Sequence, residues 1–308
     1  MWNSIRMELY KIFRMRSFWV ISIIMIGLVF MTTEFNCDDM KAARQEQSTS
    51  EGNVSGQQNK DGLQTSESRK KDQANLEIES ANDNNVTIFF GISEDTSEMD
   101  SKSVEVLDLF LLHFKSGMLT MMELLFAIMF VMLDIKNGYI KNIGGQMEHR
   151  RHLVYAKWIA MAIYTVVFDL ISLAVQSIAV YKTFHYIKWG DVTKYLPEIL
   201  LGMALQYVFL ILCMTIAMLI RSMAFSMTLG MCLIMGAAPV ACMGISAVIK
   251  KLFNRSVDLQ PYLLTTKMKT LQIDMTATEI RNVCLLVVGY FVVMSLINII
   301  QIEKRDLV

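Results

Sequence analysis

Two carboxylic acids sit where a membrane-spanning chain tolerates them least. Glu123 falls inside an apolar run over residues 116–133, and Asp169 inside another over 158–181. At about 1.5 Å per residue, each lies ~16 Å from the end of its run that adjoins the loop Asp134–Lys157, which is near mid-depth in a hydrocarbon core ~30 Å thick. An ionisable group there costs at least ~2.5–3.5 kcal/mol on insertion scales, and those that persist face a bundle interior or a cavity. Two uses are open for the pair. They are protonated and hydrogen-bonded between helices, or they line a translocation path. Pro239, which breaks a later apolar run, is a third candidate for the path.

Other chemistry is thinly represented. The run Glu148-His-Arg-Arg-His152 invites a metal, but the zincin pattern H-E-x-x-H is absent and the two arginines oppose a bound cation, so no metal site is expected. Five cysteines are scattered, four of them in apolar runs, where the thiol behaves as a small hydrophobe. They form neither a CxxC metal site nor a disulfide framework. No pair of residues at a recognisable catalytic spacing occurs, so no catalytic residue is assigned. No G-x-x-x-x-G-K-[ST] occurs either, and any ATP and Mg²⁺ would have to be held by a partner.

The elements that must position these residues follow from composition. With 308 residues, 54% of them hydrophobic, and only three prolines, the chain reads as an all-α integral membrane protein. Its formal net charge is zero, which gives no reason to expect a nucleic-acid partner. Residues 1–16 carry Trp2, Ile5, Leu9, Ile12 and Phe13 at helical spacing with bases between them, predicting an interfacial amphipathic helix. Six spans are expected, over 17–33, 116–133, 158–181, 196–220, 224–249 and 282–300. Gly236 and Pro239 should kink the fifth. The 25 methionines suit either an adaptable binding wall or plain filler.

Residues 34–115 are expected to lie outside the cell and to be mostly poorly ordered, because the stretch up to Ser103 has few large apolar residues to offset chain ordering. That stretch holds fifteen acids against seven bases, a charge that could attract cationic peptides or simply be solvated. Val86–Ile92 is its one core-like piece, a short strand or a membrane-leaning turn. Residues 250–281 form a second outer loop and 301–308 an inner tail.

Between spans two and three lies DIKNGYIKNIGGQMEHRRHLVYAK, Asp134–Lys157, with five bases at Lys136, Lys141, Arg150, Arg151 and Lys157. Such enrichment beside spans marks the cytoplasmic face, so both termini are placed inside. The loop is a topology signal or, more sharply, a docking surface for a soluble partner.

The arrangement resembles the permease subunits of ABC-2 type transporters, in particular the bacterial bacitracin-resistance and lantibiotic-immunity group. The resemblance rests on the leader MELYKIFRMRSFW, the large outer segment, the loop quoted above and the closing EKRD. Family loops carry an acid, a glycine, a Lys-Asn pair, a basic residue and a lysine opening the next helix. Asp134, Gly138, Lys141, Asn142, Arg150 or Arg151, and Lys157 match them here. The pair Gly144-Gly145 and the density of bases over 149–152 depart from that pattern. The resemblance implies a subunit in a bacterial cell membrane that works with cytoplasmic ATP-binding-cassette ATPases and a second permease copy or paralogue. It implies an exporter of an amphipathic or hydrophobic substrate such as an antimicrobial peptide, with a role in antibiotic resistance. The alternative is a membrane sensor or accessory protein whose outer segment binds a ligand.

Overall fold

The apolar runs become helices because in hydrocarbon every backbone N–H and C=O must be satisfied within the chain. A computed structural model describes residues 2–54, 86–89, 92–95, 105–138, 151–253, 260–271 and 275–304. The helices are α1 (Trp2–Arg14), α2 (Arg16–Val54), α3 (Val106–Ser116), α4 (Met118–Lys136), α5 (Arg151–Phe184), α6 (Val192–Ile220), α7 (Met223–Cys232), α8 (Ala238–Phe253), α9 (Leu264–Lys269) and α10 (Ala277–Lys304). Six stretches are long and apolar enough to cross a membrane: Arg16–Cys37, Met118–Lys136, His152–Phe184, Val192–Ile220, Met223–Ala247 and Ala277–Gln301. The chain is a helical, multi-pass membrane protein.

The first span does not stop at residue 33. Its helix continues to Val54, because the stretch Asp38–Gln47 that follows the apolar run is composed mostly of good helix formers, Met, Lys, Ala, Arg, Gln and Glu. Val86–Phe89 is a strand, β1, paired antiparallel with β2 (Ile92–Asp95) so that Val86 faces Asp95 and Phe89 faces Ile92. Residues 55–85, 90–91 and 96–104 of the stretch over 34–115 lie outside the described residues.

The core is built from α2, α3, α4, α5 and α6. Phe126 stacks on Tyr164 at 4.2 Å and meets Phe18 edge-on at 6.1 Å, joining α4, α5 and α2. Burial is uneven. Within the chain 72% of the second span is buried, but only 17% of the fifth and 11% of the sixth. The last spans thus turn Phe225, Val240, Met243, Leu285, Val288, Val292 and Leu296 outward, towards lipid or another subunit.

Two helix interruptions meet inside this bundle. α3 and α4 are separated by Gly117 at φ +78°, whose N–H donates to the Phe114 carbonyl at 3.1 Å, a left-handed cap that glycine adopts without steric cost. Between α7 and α8 a π-helical turn over Leu233–Ala237 contains Gly236 at φ +108°. Pro239, three residues on, has no N–H to donate to the preceding turn, so the regular helical ladder is broken there as well. The kink expected from Gly236 and Pro239 is present, and Ile234 from it packs against Gly117.

The sixth span is held by polar contacts. Asn298 Nδ2 donates to Thr215 Oγ1 at 2.6 Å, and Gln301 Nε2 to the Met218 carbonyl at 2.9 Å. Interhelical bonds of this kind contribute ~0.6 kcal/mol on average and up to ~1.7. Thr215→Val should therefore lower stability by about 1 kcal/mol, read as a shifted midpoint in a mixed-micelle denaturation titration. An unchanged midpoint would show that Asn298 finds an equally good partner elsewhere.

Candidate functional site

At the end of the bundle where α1 lies, four charged side chains form a buried chain of ion pairs. Asp134, at the end of α4, accepts from Lys11 Nζ of α1 through Oδ1 at 2.8 Å and from Lys157 Nζ of α5 through Oδ2. Lys11 also donates to Glu8, one helical turn back, at 3.0 and 3.1 Å. Glu8, Asp134 and Lys157 are all buried. The Phe130 ring, one turn before Asp134 on α4, lies 4.7 Å from Lys157 Nζ and 5.7 Å from Lys11 Nζ, within cation–π range. Among the described residues two acids face two bases, so their charges balance. Removing any one member leaves a buried charge unmatched.

The face that α1 presents to the bundle is mixed, apolar and polar. Ser4, Ile5, Glu8 and Ile12 are buried, whereas Trp2 and Phe13 are exposed. Glu8 is turned inward because its charge is matched there by Lys11, itself bound to Asp134. Periodicity could not find this partner, which lies 123 residues away in sequence. The cluster ties three elements together: the leader helix and the two helices that flank the central loop.

The loop residues singled out from sequence divide accordingly. Asp134 and Lys157 are inside the bundle, paired with each other, and do not line its surface. Gly138 follows α4 at φ +63°, with nothing among the described residues within 4 Å of where a Cβ would stand. Arg151 opens α5. Lys141, Asn142 and Arg150 lie outside the described residues. Pro239 lies in the first turn of the helix after the π-helical turn, away from the two mid-depth acids along the sequence.

Those acids do come together. Glu123 of α4 and Asp169 of α5 are 0% and 2% exposed, close enough to interact electrostatically. Between them stands Gln206 of α6, fully buried, whose Nε2 donates to Glu123 Oε2 at 2.6 Å. Gln206 was not singled out from sequence, although a polar residue near the centre of an apolar run was the signal that could have found it. Gln206 also faces Asp169 and Thr165 faces Glu123, but by hydrogen-bond geometry neither oxygen of Asp169 is bonded among the described residues, nor are Glu123 Oε1, Gln206 Oε1, the Tyr164 hydroxyl or Thr165 Oγ1. Orphaned buried groups cost ~1–3 kcal/mol each, so each of these calls for a physical explanation. Among the described residues no group of three His, Cys, Asp or Glu side chains is placed to hold a metal ion.

The opposite end is also closed by polar contacts. Glu105, ahead of α3, accepts from Lys188 Nζ at 2.8 Å and from the Tyr195 hydroxyl at 3.1 Å. Lys182 of α5 reaches Glu34 of α2 at 2.6 Å. Both pairs are part-exposed and worth ~0–1 kcal/mol each, so the weight of ionic fastening falls on the Asp134 end.

A family model described as Protein of unknown function (DUF2705) matches residues 79–308. The chain belongs to the DUF2705 family. The match begins before β1 and takes in the five spans from α4 onward, together with Glu123, Asp134, Lys157, Asp169 and Gln206. α1 and the first span of this DUF2705 member precede it, so the Glu8–Lys11 half of the ion cluster lies outside the matched region. No curated protein matches the chain.

Proposed function

We propose that this DUF2705 chain is the permease subunit of an ABC-2 type exporter, set in a bacterial cell membrane with both termini in the cytoplasm. ATP is bound and hydrolysed by separate ATPase subunits, and a second permease copy or paralogue completes the pathway. The substrate class that suits the resemblance is an amphipathic or hydrophobic molecule such as an antimicrobial peptide. The observation that carries this reading is the buried cluster of Glu8, Lys11, Asp134 and Lys157. It fastens both flanks of the basic loop to the leader helix, so force applied at the loop is delivered to α1, α4 and α5 together. In this reading the interfacial position of α1 follows from its outward Trp2, Tyr10 and Phe13, which suit a membrane–water boundary. The thinly buried fifth and sixth spans leave apolar surface for a second subunit.

The test separates docking from topology. Arg150→Ala with Arg151→Ala removes two interfacial charges worth ~1 kcal/mol each towards an anionic leaflet, small beside the insertion of six spans. Insertion and orientation should be unchanged. Loss of a charge-assisted contact with the ATPase costs roughly 2–5 kcal/mol, about thirty-fold to several-thousand-fold in affinity. The double variant should recover correspondingly less ATPase on purification. Recovery at wild-type stoichiometry would make the loop a topology signal only.

A membrane sensor or accessory protein is the second reading, and one observation favours it. The outer segment carries a helix extension to Val54 and a hairpin beside α3, more order than a passive linker needs. If the wild-type chain recovers no ATPase under any condition, the sensor reading replaces the permease.

A further inference from the structure

We propose that Glu123, Asp169 and Gln206 form a buried site for one small monovalent cation, a proton or a sodium ion, at mid-depth in the bundle. Three helices deliver the groups: α4 supplies Glu123, α5 supplies Asp169 with Tyr164 and Thr165, and α6 supplies Gln206. Gln206 is fixed by its bond to Glu123 at 2.6 Å and also faces Asp169, while its carbonyl oxygen is unpartnered among the described residues. Both Asp169 oxygens and Glu123 Oε1 are likewise unpartnered among the described residues.

The ligand class follows from the donor set. Every available atom is oxygen, and histidine and cysteine are absent from the cluster, which disfavours zinc and copper and suits hard cations. Two carboxylates cannot stand adjacent and ionised in an apolar interior unless something positive lies between them. No lysine, arginine or histidine among the described residues pairs with either acid. Tyr164 is the other titratable group facing the pair, and α6 presents the neutral Gln206. The missing positive charge must come from outside the chain. A bound proton neutralises one of the two carboxyl groups, and a sodium ion would be held by the same oxygens. The site does not rest on the exporter reading, since ATP-driven export needs no bound co-ion.

Infrared spectroscopy of the purified full-length chain in neutral-lipid nanodiscs tests this. The carboxyl C=O stretch of a protonated Asp or Glu is followed between about pH 5 and pH 10, with sodium and then with choline at equal ionic strength. A protonated-carboxyl band that disappears as pH rises, equally in both salts, identifies a proton site. A band that disappears at lower pH in sodium than in choline identifies a sodium site competing with the proton. In either case Glu123→Gln with Asp169→Asn, isosteric changes, should abolish the titrating band while retaining the wild-type elution profile. Should the double variant fold poorly, each single variant is compared in the same way, and the wild-type titration stands by itself. A wild-type spectrum unaffected by pH and by sodium throughout, or a titrating band unchanged by the substitutions, would overturn the proposal.

Discussion

Asp134→Ala should destabilise this protein by about 3–5 kcal/mol, the range for removing one partner from a buried ion pair. Asp134 accepts from two lysines on two different helices. Lys11 keeps Glu8 as a partner and is partly exposed, so it can turn towards water. Lys157 has no such exit: it is buried, and Asp134 is the acid to which it is paired. The main cost is therefore at Lys157. The leader helix should also loosen, because the bond from Lys11 to Asp134 is its ionic tie to α4. Two readouts follow: a lower denaturation midpoint, and faster tryptic cleavage at Lys11 and Arg14. Asp134→Leu combined with Lys157→Met removes both charges and should recover most of the loss, since a buried pair replaced by apolar residues is often close to neutral. Wild-type stability in Asp134→Ala would mean that water reaches Lys157.

This cluster also shows where the sequence was readable and where it was not. Six apolar runs could be read directly because hydrocarbon imposes length and composition on a span, and the break in span five could be read because glycine and proline act on the backbone locally. Asp134 and Lys157 stood out as charges at the edges of spans, but their partnership with Lys11 joins positions far apart along the chain. An amphipathic pattern marks which leader residues share an apolar face, but gives no sign that Glu8 is turned inward to Lys11. The continuation of the α2 helix beyond its apolar span to Val54 has a different basis. Low apolar content argues against a packed core, yet it does not prevent a helix formed from residues with high intrinsic propensity. Glu123 and Asp169 were identified by depth alone, whereas their convergence on Gln206 depends on the rotation of three helices about their axes, which tertiary packing decides.

Gly117→Ala should cost about 2–5 kcal/mol, and its two causes, backbone conformation and crowding, can be separated. The first is conformational. Gly117 has φ +78°, and an L-residue in the left-handed region pays roughly 1–2 kcal/mol. The second is steric. A Cβ at this position would stand 2.7 Å from Ile234 Cγ2, and forcing an extra carbon into a packed interior typically costs ~1–3 kcal/mol. Ile234 is itself buried and part of the π-helical turn that precedes Pro239, so it has little freedom to withdraw. Ile234→Ala alone opens a cavity and should destabilise the protein by ~2–5 kcal/mol. In the double variant the new methyl group occupies part of that cavity, so the combined loss should be smaller than the sum of the single losses by ~1–3 kcal/mol. The conformational share remains, and the double variant should stay below Ile234→Ala. Denaturation midpoints of the four proteins give this coupling energy directly. Strict additivity would show that Ile234 does not press on Gly117, and that the two helix interruptions are fastened independently rather than to each other.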